Sequence, residues 1–337
     1  MPGTPCARSG HLWACRRDRV SAVITVGDEP GQAPGLASLL DPSATFEKIA
    51  GGFGFTEGPA WHPRDHFLVF SDILGDCQYR WDPAHGVRVF RRPSNMANGA
   101  TWGADGSLWI CEHATSRLSR IVPGGAYEVV ADRFDGRELN SPNDIVVDRA
   151  GQAWFTDPAS GRSAKWGVAR EQELDFQGVY RFEPQSGRLV LLVDDFSKPN
   201  GLCFSPCGNR LFVNDTDRQH IRVFEIDRDG RLLGGEVWAE TAGDGPGVAD
   251  GMKFDARGNL WCCGAGGIHV FSPTGQRLGI LATPEVAANF AWGGADGRDL
   301  FITATTSLYR VRTRVAGHAA VLTPETPGEQ EVFHVDR

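Results

Sequence analysis

The sequence predicts an all-β fold, a six-bladed β-propeller, and three observations carry that prediction. Apolar runs of four to six residues, punctuated by Gly, Pro and Asp, fill the chain from about Thr45 onward. One hairpin unit returns six times. Amphipathic helical stretches are missing between the strands, which argues against a parallel α/β fold.

The unit reads EGPAWHPRDHFLVFSD, NGATWGADGSLWICE, NDIVVDRAGQAWFTD, NGLCFSPCGNRLFVND, DGMKFDARGNLWCCG and NFAWGGADGRDLFIT. In each, a Gly- or Asp-rich turn joins a first strand to a second. The copies start at Glu57, Asn98, Asn143, Asn200, Asp250 and Asn289, at intervals of 41, 45, 57, 50 and 39 residues, a period that fits one four-stranded blade. Third and fourth strands follow most hairpins, as in YRWDP with VRVFRR and VYRFEP with LVLLVDDF. The segment ATFEKIAGGF supplies an outer strand for the last blade and so closes the ring; EVFHV near the C-terminus is the other candidate. Residues 1–44 read as a loose, poorly ordered leader and 45–337 as the propeller domain. Four residues into most units stands a large apolar side chain, Trp61, Trp102, Val147, Phe204 and Phe254, with Trp292 shifted by one, and these are expected to pack between blades.

Composition narrows the functional classes. The 337 residues include 10 Trp and 19 Phe, with 41% hydrophobic and 23% charged, as in a folded globular protein. Lys and Arg number 34 against 42 Asp and Glu, a net charge of −8 that argues against a nucleic-acid partner. No stretch approaches 18 apolar residues and the N-terminal segment lacks a secretory apolar core, so a cytoplasmic protein without membrane attachment is expected. The eight cysteines form no scaffold spacing, and the C-x3-C pair Cys203/Cys207 has no matching pair downstream, so reduced thiols are favoured over a zinc site.

The starting position of the unit breaks the apolar rule, because all six copies carry a side-chain oxygen: Glu57, Asn98, Asn143, Asn200, Asp250 and Asn289. At the entry to the innermost strands these residues converge on the central channel. Two carboxylates and four amides facing one axis are costly unless a cation sits among them. An all-oxygen set suits calcium first, with magnesium, manganese, zinc or iron as the other candidates. The competing reading is that Asn and Asp are simply good turn residues, although Glu57 has no such role. A second series of carboxylates, Asp72, Glu112, Asp157 and Asp215, follows fourteen or fifteen residues later and fades at Gly264 and Thr303. Its members are turn caps or substrate contacts, with Glu112, His113 and Asp157 the strongest candidates for substrate hydroxyls.

The motifs FTEGPAW, LNSPNDIVVD, WFTDP, KPNGLCFSP and ADGMKFD, in this order over residues 46 to 313, resemble the senescence marker protein, gluconolactonase and luciferin-regenerating enzyme family, the regucalcin-like propellers. The resemblance implies a metal held by Glu57, Asn200 and Asp250. It places Asn143 beside them as a further ligand or a substrate contact, and gives Asp250 the role of general base or acid. Asn98 joins the expected substrate contacts. The activity so implied is hydrolysis of a gluconolactone-like sugar lactone, with a small-molecule substrate and a monomeric or dimeric protein. A non-enzymatic interaction propeller, or a related propeller esterase or dehydratase, is the alternative; the single Trp-Asp dipeptide, Trp81-Asp82, weighs against the platform. The segment 158–177 lengthens the third interval and is either a lid carrying Arg162, Lys165 and Trp166 or an exposed variable loop.

Overall fold

The computed structural model describes residues 19–21, 24–25, 35–41 and 43–318. Six sheets of antiparallel strands stand around a channel. Blade 1 runs Thr56–His62, Phe67–Asp72, Cys77–Asp82 and Gly86–Arg91, and blade 2 runs Ala97–Trp102, Leu108–Glu112, Arg117–Ile121 and Tyr127–Ala131. Blade 3 is Ile145–Val147, Ala153–Asp157, Gln177–Glu183 and Arg188–Phe196, and blade 4 is Pro199–Phe204, Arg210–Asp215, His220–Ile226 and Leu232–Glu240. Blade 5 comprises Met252–Phe254, Leu260–Gly264, Gly267–Phe271 and Arg277–Leu281, and blade 6 comprises Ala287–Gly293, Asp299–Ala304 and Ser307–Arg312. First strands of successive blades touch, the sixth meeting the first, so the ring is closed. Among the described residues no helix is long and apolar enough to cross a membrane.

The fourth strand of blade 6 is Thr45–Gly51, which pairs antiparallel with Ser307–Arg312 as the segment ATFEKIAGGF suggested; EVFHV lies outside the described residues. Part of the leader differs from the loose segment the sequence suggested. Arg19–Ser21 adds to the edge of blade 6 and Ile24–Thr25 to the edge of blade 5. Leu36, Leu39 and Leu40 are buried in the core between these blades, because three leucines within five residues give this stretch an apolar face to bury.

The core is divided among the six blade interfaces, one cluster at each. Each of the apolar residues near the start of a unit belongs to a different cluster: Trp61, Trp102, Val147, Phe204, Phe254 and Trp292 pack between adjacent blades. Trp61 stacks on Phe301 of blade 6 with ring centroids 5.3 Å apart, which ties the first blade to the last. The described cysteines are free thiols, all buried except Cys207.

Candidate functional site

The innermost strands are irregular where the six oxygen-bearing residues sit. In blades 1, 2, 4 and 6 the register slips at the ring position, between Glu57 and Ala60, Ala97 and Ala100, Pro199 and Leu202, and Ala287 and Asn289. In blades 3 and 5 the regular strand begins only after Asn143 and Asp250. Such bulges re-aim a side chain out of the alternating pattern. The residue after the ring position is Gly in four blades, and that choice is steric. A Cβ on Gly58 would lie 1.9 Å from the Asn98 carbonyl oxygen, on Gly99 2.5 Å from that of Asn143, and on Gly201 2.3 Å from that of Asp250. Each glycine thus lets one ring residue lie against the next.

Side chains of neighbouring strands fix the ring backbone. Ser71 Oγ donates to the Asn98 carbonyl at 2.8 Å, Thr156 Oγ1 to that of Asn200 at 2.7 Å, and Asn214 Nδ2 to that of Asp250 at 2.5 Å. Asn143 lies between Asn98 and Asn200 around the channel, its carbonyl accepting the Gly99 N–H at 2.8 Å.

Glu57, Asn200 and Asp250 come together. Burial and the nearby charge of Asp144 push the Glu57 carboxyl up to about 7. Burial, then the charges of Glu57 and Asp144, hold Asp250 well above the ordinary carboxylate range, against the stabilising Asn200 amide. Glu57 Oε2 accepts from the Gly58 N–H at 2.6 Å and from Asn289 Nδ2 at 3.2 Å. The orientation of Asn200 is dictated by Thr216. The Thr216 hydroxyl donates to the Ala249 carbonyl at 2.7 Å, so it accepts from Asn200 Nδ2 at 3.0 Å. Asn200 Oδ1 is left buried without a hydrogen-bond partner. Two mutually repelling carboxylates and an asparagine with a buried, unpartnered amide oxygen are donors suited to a hard divalent cation. Among the described residues no group of three or more His, Cys, Asp or Glu side chains is arranged to hold a metal; this set depends on amide oxygens as well.

The second carboxylate series serves the loops that deliver the ring. Asp72 accepts from the Gly54 and Phe55 amides, Asp157 from those of Asn140 and Ser141, and Asp215 from those of Ser197 and Lys198. These are the approaches to Glu57, Asn143 and Asn200. The candidate role of Asp157 as a substrate contact is therefore corrected: it is fully buried, both oxygens are engaged, and burial pushes its carboxyl up to about 7. Glu112 is corrected likewise. It is completely buried and accepts from Arg91 Nη2 at 2.7 Å, Asn95 Nδ2 at 2.9 Å, Thr115 Oγ1 at 2.7 Å, Ser119 Oγ at 2.8 Å and Tyr127 OH at 3.0 Å. His113 has no free ring nitrogen either. Nδ1 meets the Trp166 carbonyl at 2.9 Å and so carries the proton, leaving Nε2 to accept from Asn98 Nδ2 at 3.0 Å. Burial lowers this imidazole to about 4, so it is neutral at pH 7 and orients the Asn98 amide.

Segment 158–177 leaves the end of the second strand of blade 3, at the ring end of the channel. Its Trp166 packs edge-on against Phe55, two residues before Glu57, with centroids 4.6 Å apart, and Lys165 lies over the indole. Arg162 is buried and bonded to the Asn140 and Leu139 carbonyls and to Glu138, so it braces the segment and is not presented to a substrate.

Two channel residues escape the sequence reading. Asp144, 4% exposed, stands where four other blades have Gly, and that break in the pattern was the available signal. Lys253, three residues after Asp250, places Nζ 3.5 Å from Asn289 Oδ1. A cavity of about 540 Å3 lined by Trp61, Trp102, Phe204, Phe254 and Trp292 opens at the opposite end of the inner strands, away from the ring.

Residues 55–306 match a family model described as the SMP-30/Gluconolactonase/LRE-like region. A gluconolactonase of Zymomonas mobilis is 34% identical over 315 residues, 87% of this chain and 88% of that protein. A solved gluconolactonase of Xanthomonas campestris is 33% identical, with a TM-score of 0.78 over 88% of this chain and 99% of the other. Regucalcin of Agrobacterium tumefaciens, described as a calcium-binding protein, shares the fold at 20% identity, with a TM-score of 0.64 over 81% of this chain and 96% of the other. The match across most of the propeller, with the ring residues inside it, makes this chain a member of the SMP-30/gluconolactonase/LRE-like family.

Proposed function

We propose that this enzyme hydrolyses sugar lactones to hydroxy acids with a divalent ion, calcium foremost, held by Glu57, Asn200 and Asp250, with Asn143 beside them. The observation that carries the reading is that Glu57 and Asp250, two carboxylates that burial and nearby charge leave in need of a cation, share a buried site with Asn200, whose Oδ1 has no hydrogen-bond partner. The gluconolactonase relatives support the lactone substrate. An ion bound there supplies positive charge for the lactone carbonyl and for the negative charge that develops on its oxygen.

The protein's own groups do the rest. Glu57 and Asp144 are buried at 4% exposure, whereas Asp250 is half-buried, so Asp250 is the channel carboxylate that can meet water and substrate together. It takes the proton of the attacking water as the new C–O bond forms, and returns it to the ring oxygen as the ester C–O bond breaks. Asn98, held by His113, and Asn143 are placed to bond sugar hydroxyls. The segment 158–177 acts as a lid, with Trp166 and Phe55 forming an aromatic wall for the C–H face of the sugar ring.

The test is a pH-indicator assay on chelator-stripped protein with aldonolactones, aryl esters and phosphotriesters. Aldonolactone turnover should appear only when a divalent ion is restored, and Asp250→Asn should abolish it. Turnover of phosphotriesters or aryl esters alone would favour the esterase reading, and no turnover of any ester would favour a binding protein.

A further inference from the structure

The channel holds three carboxylates, not two. Asp144 acts on Glu57, and both act on Asp250, so the charges are mutually felt. Asp144 is nearly fully buried; its Oδ1 accepts the Ile145 N–H at 2.9 Å, and the Leu202 N–H and the Asn289 amide also favour its ionised form. Buried carboxylates at this density need compensation, and a single divalent ion supplies only two of the three positive charges.

Lys253 is placed to supply the third. It sits on the inner strand Met252–Phe254 of blade 5, its strand neighbours Met252 and Phe254 facing the core between blades 4 and 5. Its Nζ lies 3.5 Å from Asn289 Oδ1, and Asn289 Nδ2 lies 3.2 Å from Glu57 Oε2, so one amide links ammonium to carboxylate. The Lys253 charge is felt by Asp144, where it is the foremost influence favouring the ionised form, and also by Glu57 and the buried Cys203 and Cys263. The residue makes no contact ion pair among the described residues, so no single carboxylate consumes its charge.

We propose that Lys253 is a positioning residue whose ammonium, tied through the Asn289 amide to Glu57, offsets one of the three carboxylate charges of the channel, so that a single divalent ion leaves the channel neutral. The proposal rests on the reading above that the ring holds such an ion.

Calorimetric titration of chelator-stripped protein with calcium, or with manganese where calcium gives no heat, tests both in distinguishable ways. The wild type should bind one ion per chain. Lys253→Met should bind it about tenfold more tightly, the scale of one positive charge removed from a partly buried site, while Asp144→Asn binds about tenfold more weakly and Lys253→Arg matches the wild type. Thermal midpoints of the metal-free proteins should show the Lys253→Met/Asp144→Asn double change costing less than the two single changes added together. Lys253→Met affinity that is unchanged or weaker, or additive midpoints, overturns the role of Lys253 alone. If Lys253→Met does not fold, unchanged affinity in Asp144→Asn overturns that role equally. A wild type that binds no divalent ion overturns both proposals.

Discussion

Thr216→Val isolates the geometry on which the candidate metal site depends. The substitution keeps the volume of a 7%-exposed side chain and removes one hydroxyl. That hydroxyl makes two bonds, to the Ala249 carbonyl at 2.7 Å and from Asn200 Nδ2 at 3.0 Å. Both partners are left without it in a dry environment, at about 1–3 kcal/mol for a buried group left unsatisfied. A fall in unfolding free energy of about 2–6 kcal/mol is therefore expected, measured by denaturant titration of metal-free protein. The informative effect is on the ion. With nothing to hold Nδ2, the Asn200 amide is free to turn, and Oδ1 loses its fixed direction. Removing a partner that orients a ligand typically weakens metal affinity by about 10–100-fold. Lactonase rate followed against added calcium should shift to higher concentration by that factor, while the rate at saturating calcium returns close to the wild-type value. A variant that loses stability yet keeps wild-type calcium dependence would refute the reasoning, because Asn200 would then not be a ligand oriented by Thr216.

Glu112→Ala should cost about 3–5 kcal/mol of stability by leaving Arg91 unpaired in a buried setting, yet leave calcium affinity unchanged in calorimetry, since Glu112 braces blade 2 and does not face the ring. His113, with its folded value lowered to about 4 by burial, remains neutral where the unfolded chain takes up a proton below about 6.5. The unfolded state then binds more protons, so this contribution is fully present above pH 6.5 and is lost as pH falls toward 4, up to about 3 kcal/mol. His113→Gln should flatten that part of the stability profile, as read by thermal melts across pH; an unchanged slope would show that His113 is not the group responsible. Trp166→Ala should raise the KM for an aldonolactone several-fold with little change in calcium affinity, and an unchanged KM would remove the lid role.

The blade repeat was legible because the same physical demand recurs at every interface: Trp61, Trp102 and Phe254 each fill a separate cluster, so the apolar residue returns with the period of the blade. The ring was legible for the opposite reason, since Asn200 and Asp250 occupy a position where burial alone would select apolar side chains. The roles of Glu112 and Asp157 were not. Their spacing announces a carboxylate at the end of a strand, but only the fold shows which groups arrive opposite it: the Asn140 and Ser141 amides in one case, Arg91 and Tyr127 in the other. Lys253 was hidden because a polar residue between Met252 and Phe254 reads as the solvent side of an alternating strand, whereas in a propeller that side faces the channel. The packing of Leu36, Leu39 and Leu40 was hidden because three leucines without a periodic partner declare no destination.

The seam of blade 6 joins a strand made before any other of the six blades, Thr45–Gly51, to one made after all of them, Ser307–Arg312, and Leu40 bridges Thr313 beside it. A ribosome therefore releases the clasp long before the hook it fastens to, and the circle cannot lock until strands of all six blades have emerged. Removing either of these two strands unfastens this same joint.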